Sequence, residues 1–301
     1  MNRVSAAGAS AGWMLFLPSP AKLNVFLEVT ARRSDGYHEL ETVMLRTRLA
    51  DTMCFQVVRE PVIRLQTSAA TPGWLRDVFP LDERNLIVQV ARALQERAGG
   101  KTGIVITVHK VIPPESGLAG GSSNAAPTLA ALNDLWQLRL SDRELHEIAA
   151  RHGSDINFLL SGARAAVCRG RGEIVEPIGL RHPLSFIVVR PRQGNRTGDV
   201  FRKLELPQTP RSSRDIVAAL SGDSAVRLID LCFNRLTEAA CQLNPEMHEL
   251  LRWLQQRADR PAFMSGSGAA CCLMARDARD AHRLAATVQA ATRLPVWLLH
   301  C

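Results

Sequence analysis

The chain of 301 residues has few aromatic residues and no long apolar run. Phe, Trp and Tyr make up 5% of it, and Tyr37 is the only tyrosine. Such a scarcity of rings disfavours a base-stacking surface for nucleic acid. The longest apolar stretches are much shorter than a bilayer span, so we predict no membrane helix. Residues 1–14 lack the apolar core of a secretory signal, and we expect a loose extension over 1–17.

Paired cysteine spacings are also missing. The chain has seven cysteines, an odd number, with no C-x-x-C and no zinc-ligand spacing. Several of them lie in apolar runs, as small buried residues do. This usage favours a reducing compartment, and we predict a cytoplasmic protein.

Lysine and arginine together outnumber aspartate and glutamate by 37 to 29, so the formal net charge is +8, and arginine carries most of it. A basic balance is compatible with nucleic acid, with an anionic small substrate, or with an arginine-rich proteome and no functional meaning. The arginines are scattered rather than gathered in a stripe. We favour the last explanation and predict no nucleic-acid partner and no membrane partner.

Strand-like and helix-like runs follow one another in mixed order, which predicts an α+β protein. We place an N-terminal domain at 18–181 and a C-terminal domain at 182–301. Strands are predicted at 22–30, 40–48, 52–58, 62–66, 104–110, 164–168, 173–178, 184–190, 269–275 and 294–299. Helices are predicted at 85–98, 125–136, 141–151, 245–258 and 277–291, and a mobile insert or short helix at 207–226.

A glycine-rich loop at 113–126 joins a predicted strand to a predicted helix. The first amides of a helix are unpaired and its dipole is positive there, so the loop predicts a phosphate site. No lysine follows Gly121, which excludes a Walker loop, and the spacing is not that of a dinucleotide fingerprint. The following helix contains Pro127, which we expect in or near its first turn.

Three polar residues are candidates for chemistry. Lys22 and Asn24 alternate with apolar residues and so share one face of a strand. A lysine there is most often a solvated surface charge. Asp155 follows Gly153 at a helix start and is either a capping acid or a general base for phosphoryl transfer.

Two further features are ambiguous when taken alone. A second glycine turn at 264–269 precedes a strand and is either a tight turn, a cover over a phosphate or a support for the first loop. Tyr37 and His38 follow an Asp-Gly turn and are either a turn covering a core edge or a site for a nucleobase.

Taken together these motifs resemble one family. They occur in the expected order as Pro18-Ser19-Pro20-Ala21-Lys22-Leu23-Asn24, Asp35-Gly36-Tyr37-His38-Glu39-Leu40, Asn85-Leu86-Ile87, the loop 113–126, Gly153-Ser154-Asp155 and Ser265-Gly266-Ser267-Gly268. The chain is similar to the 4-diphosphocytidyl-2-C-methyl-D-erythritol kinases of the GHMP kinase superfamily. The resemblance runs from about Pro18 to the end.

The resemblance implies a two-domain GHMP kinase fold, with an N-terminal domain like ribosomal protein S5 domain 2 and a ferredoxin-like C-terminal domain. It implies ATP-dependent phosphorylation of the tertiary hydroxyl of 4-diphosphocytidyl-2-C-methyl-D-erythritol, in the non-mevalonate isoprenoid pathway. The implied ligands are ATP, Mg²⁺ and a small molecule with a cytidine diphosphate group. We expect a monomer or weak homodimer.

The resemblance also implies roles for particular residues. Asp155 would be the base, and Lys22 would orient the hydroxyl and stabilise the carboxylate. Tyr37 and Phe201 would sandwich the cytosine, with His38 bonding its edge. The further substrate residues implied are Asn24 and Thr197. The implied ATP residues are Asn85, Lys110, Pro113, Gly117, Leu118, Ala119, Gly120, Gly121, Ser122, Ser123 and Asn124, with Ser123 also a candidate metal ligand.

Three positions depart from the family pattern. Glu115 places a carboxylate near the expected phosphate site, which weakens ATP binding unless the side chain turns outward or binds Mg²⁺. Pro127 replaces a small helix former, and Asn157 stands where a proline is common. Three alternatives therefore stay open: another GHMP kinase, for mevalonate, homoserine or a sugar; a catalytically impaired GHMP-like nucleotide-binding protein; and a nucleic-acid-binding protein.

Overall fold

The computed structural model describes residues 13–222 and 228–301, and its elements lie within those ranges. The strands are β1 (Met14–Arg32), β2 (His38–Val58), β3 (Ile63–Thr67), β4 (Gly103–His109), β5 (Ala165–Gly170), β6 (Ile174–Pro177), β7 (Ser185–Val189), β8 (Phe233–Asn234), β9 (Ala262–Met264), β10 (Cys271–Met274) and β11 (Val296–His300). The helices are α1 (Gly73–Arg76), α2 (Leu86–Arg97), α3 (Gly120–Leu135), α4 (Asp142–His152), α5 (Ile156–Leu160), α6 (Thr197–Lys203), α7 (Arg214–Ser221), α8 (Leu228–Leu231), α9 (Thr237–Leu243), α10 (Pro245–Ala258) and α11 (Ala278–Thr292).

The described chain forms two compact units, each built from several segments. Unit 1 contains the described residues up to Ala21, Leu49–Pro114 and Ala119–Gly162. Unit 2 contains Lys22–Arg48, Glu115–Leu118 and the described residues from Ala163 to Cys301. The domain boundary between residues 181 and 182 stays a prediction.

Unit 1 packs helices α2 and α3 beside strands. β3 pairs in parallel with β4, and β4 pairs antiparallel with the C-terminal half of β2. Most buried positions of α2 and α3 are apolar, and Ile87, Leu94 and Leu132 are fully buried. This packing fixes the start of α3, where the glycine loop ends.

Unit 2 contains a four-stranded antiparallel sheet of order β11-β7-β10-β9. Its core joins that sheet to α10 and to the apolar face of β1, with Leu27, Ile187 and Leu254 buried. The N-terminal half of β2 pairs antiparallel with β5, and β1 pairs in parallel with β8. Since Leu27 and Val29 point into this core, the alternate residues of β1 lie on its other face.

Several predicted elements are confirmed with small shifts at their ends. The capping box of Ser141 and Glu144 begins α4, and Gly153 ends it. The Asn244 side chain caps α10 ahead of Pro245. α7 forms inside the predicted insert, of which residues 223–226 lie outside the described range, as do residues 1–12 of the predicted extension.

Other expectations were wrong. β1 begins at Met14, so residues 14–17 of the predicted extension are strand. The strands predicted at 40–48 and 52–58 are one continuous strand, β2. α3 begins at Gly120 rather than at 125, which places Pro127 in its interior instead of its first turn. The cause is Ala119, whose left-handed backbone (φ 57°) lets the glycine and serine residues after it enter the helix.

Candidate active site

Lys22 and Asn24 form a buried pair on one face of β1 in unit 2. Lys22 is only 3% exposed, and its ammonium donates to Asn24 Oδ1. The amide of Asn24 is oriented by Thr42, because Nδ2 donates to Thr42 Oγ1 at 2.8 Å. The expectation of a solvated surface lysine is therefore wrong, and sequence reasoning missed Thr42.

The second glycine turn supports the first loop. Ser265 Oγ accepts a hydrogen bond from the backbone N–H of Asn24 at 3.1 Å and donates one to the backbone carbonyl of Gly117 at 2.9 Å. Gly117 has a φ of +72°, and a Cβ built on it would lie 1.8 Å from the backbone carbonyl oxygen of Ser265. Gly268 also lies against the first loop, since a Cβ built on it would lie 2.2 Å from the backbone nitrogen of Gly117. The segment is thus a tight turn that supports the first loop, and its role as a cover over a phosphate stays a prediction.

The residues predicted to hold cytosine lie in unit 2 and are partly paired with one another. The rings of His38 and Phe201 stack with centroids 5.0 Å apart and planes at 29°. Tyr37 is 56% exposed, and the Arg171 guanidinium lies 4.9 Å from its ring centroid. Thr197 Oγ1 lies 2.8 Å from the hydroxyl of Ser267. In this arrangement the ring facing Phe201 is thus that of His38.

Glu115 turns toward another loop of unit 2. Its backbone is in the left-handed region (φ 51°), and a Cβ built on Gly194 would lie 2.6 Å from Glu115 Oε2. The residue is exposed. The carboxylate thus occupies the surface beside Gly194, which corresponds to the outward-turned arrangement that sequence analysis named as one alternative.

In unit 1 the first turn of α3 presents the phosphate-site amides. Ala119 precedes the helix without a side-chain cap, and the first intrahelical bond runs from the Ser123 amide to the Ala119 carbonyl at 2.7 Å. The amides before Ser123 have no helical acceptor, as at any helix start. A small anion therefore finds donors and the positive end of the dipole here.

Asp155 stands at the N-cap of α5, but its side chain makes no capping hydrogen bond. The predicted position of an acid at a helix start is thus confirmed, without a capping hydrogen bond from its side chain. The segment ahead of it lies beside the start of α3, because a Cβ built on Gly153 would be 3.4 Å from Ser122 Oγ. Unit 1 thus brings the acid's segment next to the predicted phosphate turn.

Three predicted ATP residues have structural contacts. The Asn85 side chain caps α2 by accepting from the Ile87 amide at 3.0 Å. Ser123 is fully buried and donates to the Pro20 carbonyl at 2.7 Å. Lys110 is 5% exposed, and its ammonium is paired with the carboxylate of Asp51, a residue that sequence reasoning missed. Nucleotide contact by these three stays a prediction.

The described ranges contain neither a cluster of metal-binding side chains nor a membrane-spanning helix. Residues 13–222 and 228–301 contain no group of three or more His, Cys, Asp or Glu placed to hold a metal ion. None of the described helices combines the length and the apolar character needed to cross a membrane.

Comparison with known proteins identifies both halves of the chain. The model of the GHMP kinases N terminal domain matches residues 85–167, and that of the GHMP kinases C terminal matches residues 211–293. A relative from Acidovorax sp. (strain JS42), named 4-diphosphocytidyl-2-C-methyl-D-erythritol kinase, is 39% identical over 88% of this chain and 89% of its own. A relative of the same name from Shouchella clausii is 36% identical over 84% of this chain and 82% of its own.

Solved structures agree with these relatives. A crystal structure of a 4-(cytidine 5'-diphospho)-2C-methyl-D-erythritol kinase has a TM-score of 0.77 at 30% identity, covering 95% of this chain and 98% of its own. An L. major mevalonate kinase has a TM-score of 0.70 at 15% identity, covering 97% of each chain, which shows the fold alone. The predicted family and the predicted GHMP kinase fold are thereby confirmed. The chain belongs to the 4-diphosphocytidyl-2-C-methyl-D-erythritol kinase family and is an ATP-dependent small-molecule kinase of the GHMP type.

Proposed function

We propose that this chain transfers the γ-phosphate of ATP to the tertiary hydroxyl of 4-diphosphocytidyl-2-C-methyl-D-erythritol, in the non-mevalonate route to isoprenoid precursors. The observation that carries the proposal is the buried pair of Lys22 and Asn24, whose orientation Thr42 and Ser265 fix. A lysine is seldom buried unless its ammonium is paired, so Lys22, 3% exposed and bonded to Asn24, supports a role in the site. The printed names of the relatives support the substrate.

The glycine loop and the first turn of α3 bind the ATP phosphates in this proposal. The unpaired amides before Ser123 donate to phosphate oxygens, and the helix dipole adds a favourable field. The turn is built from Gly120, Gly121 and Ser122, which leave the backbone open to a close approach.

Asp155 is the general base in this proposal. As the substrate oxygen attacks the γ-phosphorus, its proton passes to the Asp155 carboxylate, the bond from the γ-phosphorus to the bridging oxygen breaks, and ADP leaves. The position of its segment supports this role, because a Cβ built on Gly153 would lie 3.4 Å from Ser122 Oγ in the first turn of α3.

In this proposal Lys22 orients the acceptor hydroxyl. Asn24 Oδ1 accepts from the Lys22 ammonium, so this amide holds the charge in place. Asn24 in turn helps to hold the substrate. An ammonium held in a low-dielectric site acts more strongly on a developing charge than one in water.

Cytosine is bound by the aromatic side chains of unit 2. Tyr37 is open to solvent, and the His38 and Phe201 rings already form one stack. Aromatic faces suit a nucleobase because offset stacking adds about 0.5–1.5 kcal/mol per pair beyond area burial. The His38 ring nitrogens supply edge hydrogen bonds.

Mg²⁺ is expected to arrive with ATP and to neutralise phosphate charge. The Ser123 hydroxyl does not fit the predicted role of metal ligand, because it contacts Ser19 Oγ at 2.6 Å and donates to the Pro20 carbonyl. Glu115 is turned against Gly194. The cytoplasmic location, the monomeric or weakly dimeric state, and the absence of nucleic-acid and membrane partners stay predictions.

The test is ADP release from MgATP with the diphosphocytidyl substrate, beside mevalonate and homoserine at equal concentrations. We expect turnover with the cytidine-bearing alcohol alone. Turnover with mevalonate or homoserine instead would keep the kinase and overturn the cytosine site. Nucleotide binding without any turnover would favour the catalytically impaired alternative.

A further inference from the structure

A buried polar cluster in unit 1 surrounds Asp51, to which the proposed function gives no role. Asp51 is fully buried in β2. Its Oδ1 accepts from the backbone amides of Val111 and Ile112 at 2.7 and 2.9 Å. Its Oδ2 accepts from the Lys110 ammonium and from Asn124 Nδ2, the latter at 2.9 Å. One carboxylate thus receives four hydrogen bonds.

The four donors come from both ends of the glycine loop. Lys110, Val111 and Ile112 directly follow β4, whereas Asn124 lies near the start of α3. A further hydrogen bond joins the two ends directly, because Lys110 Nζ donates to Asn124 Oδ1 at 2.9 Å. Asp51 therefore ties the point where the chain leaves the sheet to the point where it enters the helix.

The first residue of α3 rests against this cluster. A Cβ built on Gly120 would lie 3.2 Å from Ile112 Cγ2 and 3.5 Å from Lys110 Nζ. Burial lowers the pKa of Lys110, and the neighbouring Asp51 charge opposes that shift. Because the ammonium is buried against a carboxylate, the pair is close to neutral and acts on the helix start by position rather than by net charge.

We propose that Asp51 is a positioning residue for ATP: by tying Lys110, Val111 and Ile112 to Asn124, it holds the first turn of α3 in the conformation that receives the phosphates. The inference rests on the proposed function only in taking ATP as the ligand of that turn. Donors fixed before binding need no ordering when the ligand arrives, so loss of the tie weakens ATP binding.

The test is MgATP binding by calorimetry without any acceptor substrate, so that it does not depend on turnover. Asp51→Asn keeps the shape of the side chain at residue 51 and removes the negative charge that pairs with Lys110. We expect its Kd for MgATP to rise at least about tenfold. Asn124→Ala leaves the Asp51–Lys110 pair in place but cuts the helix end of the tie, and we expect a rise of at least about threefold.

The matched control is Asp280→Asn, which breaks another buried ion pair, with Arg260 at 2.7 Å in unit 2. It lowers the melting temperature as Asp51→Asn does, but its Kd for MgATP stays within about twofold of the unaltered protein. A Kd within twofold for Asp51→Asn overturns the inference, and Asn124→Ala decides in the same way if Asp51→Asn does not fold. Failure of the unaltered protein to bind MgATP would instead contradict the proposed function.

Discussion

Among the single residues of the site, burial separates side chains held rigid from side chains open to solvent. Lys22 and Asn24 are 3% and 1% exposed, whereas Tyr37 is 56% exposed. The alternation of β1 predicted that the first two share a face. It could not predict their burial, since Thr42 and Ser265 come from other parts of the chain. The sequence could therefore predict the candidate residues but not the side chains that surround them.

The role of Asp155 has a direct test. We expect Asp155→Asn to lower kcat by about 100- to 10,000-fold, because the amide cannot take the hydroxyl proton. The Kd of the cytidine substrate should change by less than about twofold, since the carboxylate acts only as the reaction proceeds. Steady-state kinetics and equilibrium binding measure the two quantities.

The control is Asp142→Asn, an exposed acid in the first turn of α4. It should leave kcat unchanged, because its carboxylate lies at a helix start and has no proposed role in the reaction. If Asp155→Asn turned over at the rate of this control, the assignment of the base would be wrong.

His38 gives the site a pH dependence. Burial lowers the pKa of its imidazole, and the nearby Arg32 charge lowers it further. The ring is therefore neutral at pH 7 and gains a proton only below its ordinary value of about 6.5. We expect the KM for the cytidine substrate to be constant from about pH 7 to 8.5 and to rise below about pH 6, as measured by initial rates.

His38→Gln keeps a hydrogen-bonding edge but cannot titrate in this range. The rise of the KM at acidic pH should be absent in this variant. The same rise in both proteins would assign the acidic limb to another group.

At the scale of helices and strands, local sequence signals predicted most elements and failed where the backbone is unusual. Caps and turn residues placed α4 and α10 because each signal acts within a few positions. The start of α3 was wrong because a left-handed alanine leaves no pattern in a glycine-rich stretch. The short α6 and α9 escaped notice because few residues carry little periodicity.

The contact between the two glycine turns predicts the effect of Gly117→Ala. The added methyl would lie 1.8 Å from the backbone carbonyl oxygen of Ser265, and residue 117 would have to keep a φ of +72°. The loop or the turn must then move, and we expect kcat/KM for ATP to fall by at least about 100-fold. Kinetics at saturating cytidine substrate measure this loss.

Gly100→Ala is the matched control, because Gly100 has a φ of +75° and open space around its Cβ position. It carries a backbone cost of about 1 kcal/mol without the clash and should leave kcat/KM unchanged. Equal kcat/KM values for the two variants would contradict the claim that the contact between the two glycine turns matters for ATP.

For the molecule as a whole, the contacts that complete the site join residues distant in sequence. The Asn24 amide and Ser265 are 241 positions apart, and Asp51 and Lys110 are 59 apart. No local pattern encodes such pairs, so the sequence predicted the family, the fold and the chemical residues but not Asp51. Motif resemblance filled part of this gap because it carries information about folded relatives.

Global stability should depend on the buried pair of Arg260 and Asp280. Burial by itself raises the pKa of Asp280, but hydrogen bonds from Arg260, the Arg276 amide and Arg283 outweigh it and hold the pKa well below its usual range. We expect Asp280→Asn to lower the free energy of unfolding by about 3 kcal/mol at pH 7, as measured by urea unfolding.

The size of this destabilisation depends on pH. A carboxyl with a lowered folded-state pKa stabilises above its unfolded value of about 3.9 and loses that contribution as the pH falls further. The difference between the two proteins should therefore narrow below about pH 4. Glu147→Gln, in an exposed pair with Arg143, should cost less than about 1 kcal/mol. A difference that stays constant down to pH 3 would contradict the assigned pKa direction.

In our proposal a cytidine-bearing alcohol is the phosphoryl acceptor. The most direct measurement compares kcat/KM for 4-diphosphocytidyl-2-C-methyl-D-erythritol with that for 2-C-methyl-D-erythritol 4-phosphate, which lacks the cytidine, and locates the new phosphate by ³¹P NMR. We predict phosphate on the tertiary hydroxyl and a preference of at least about 1,000-fold for the cytidine substrate, because binding energy from the base is realised in the transition state. Equal kcat/KM values, or phosphate on another oxygen, would contradict the account.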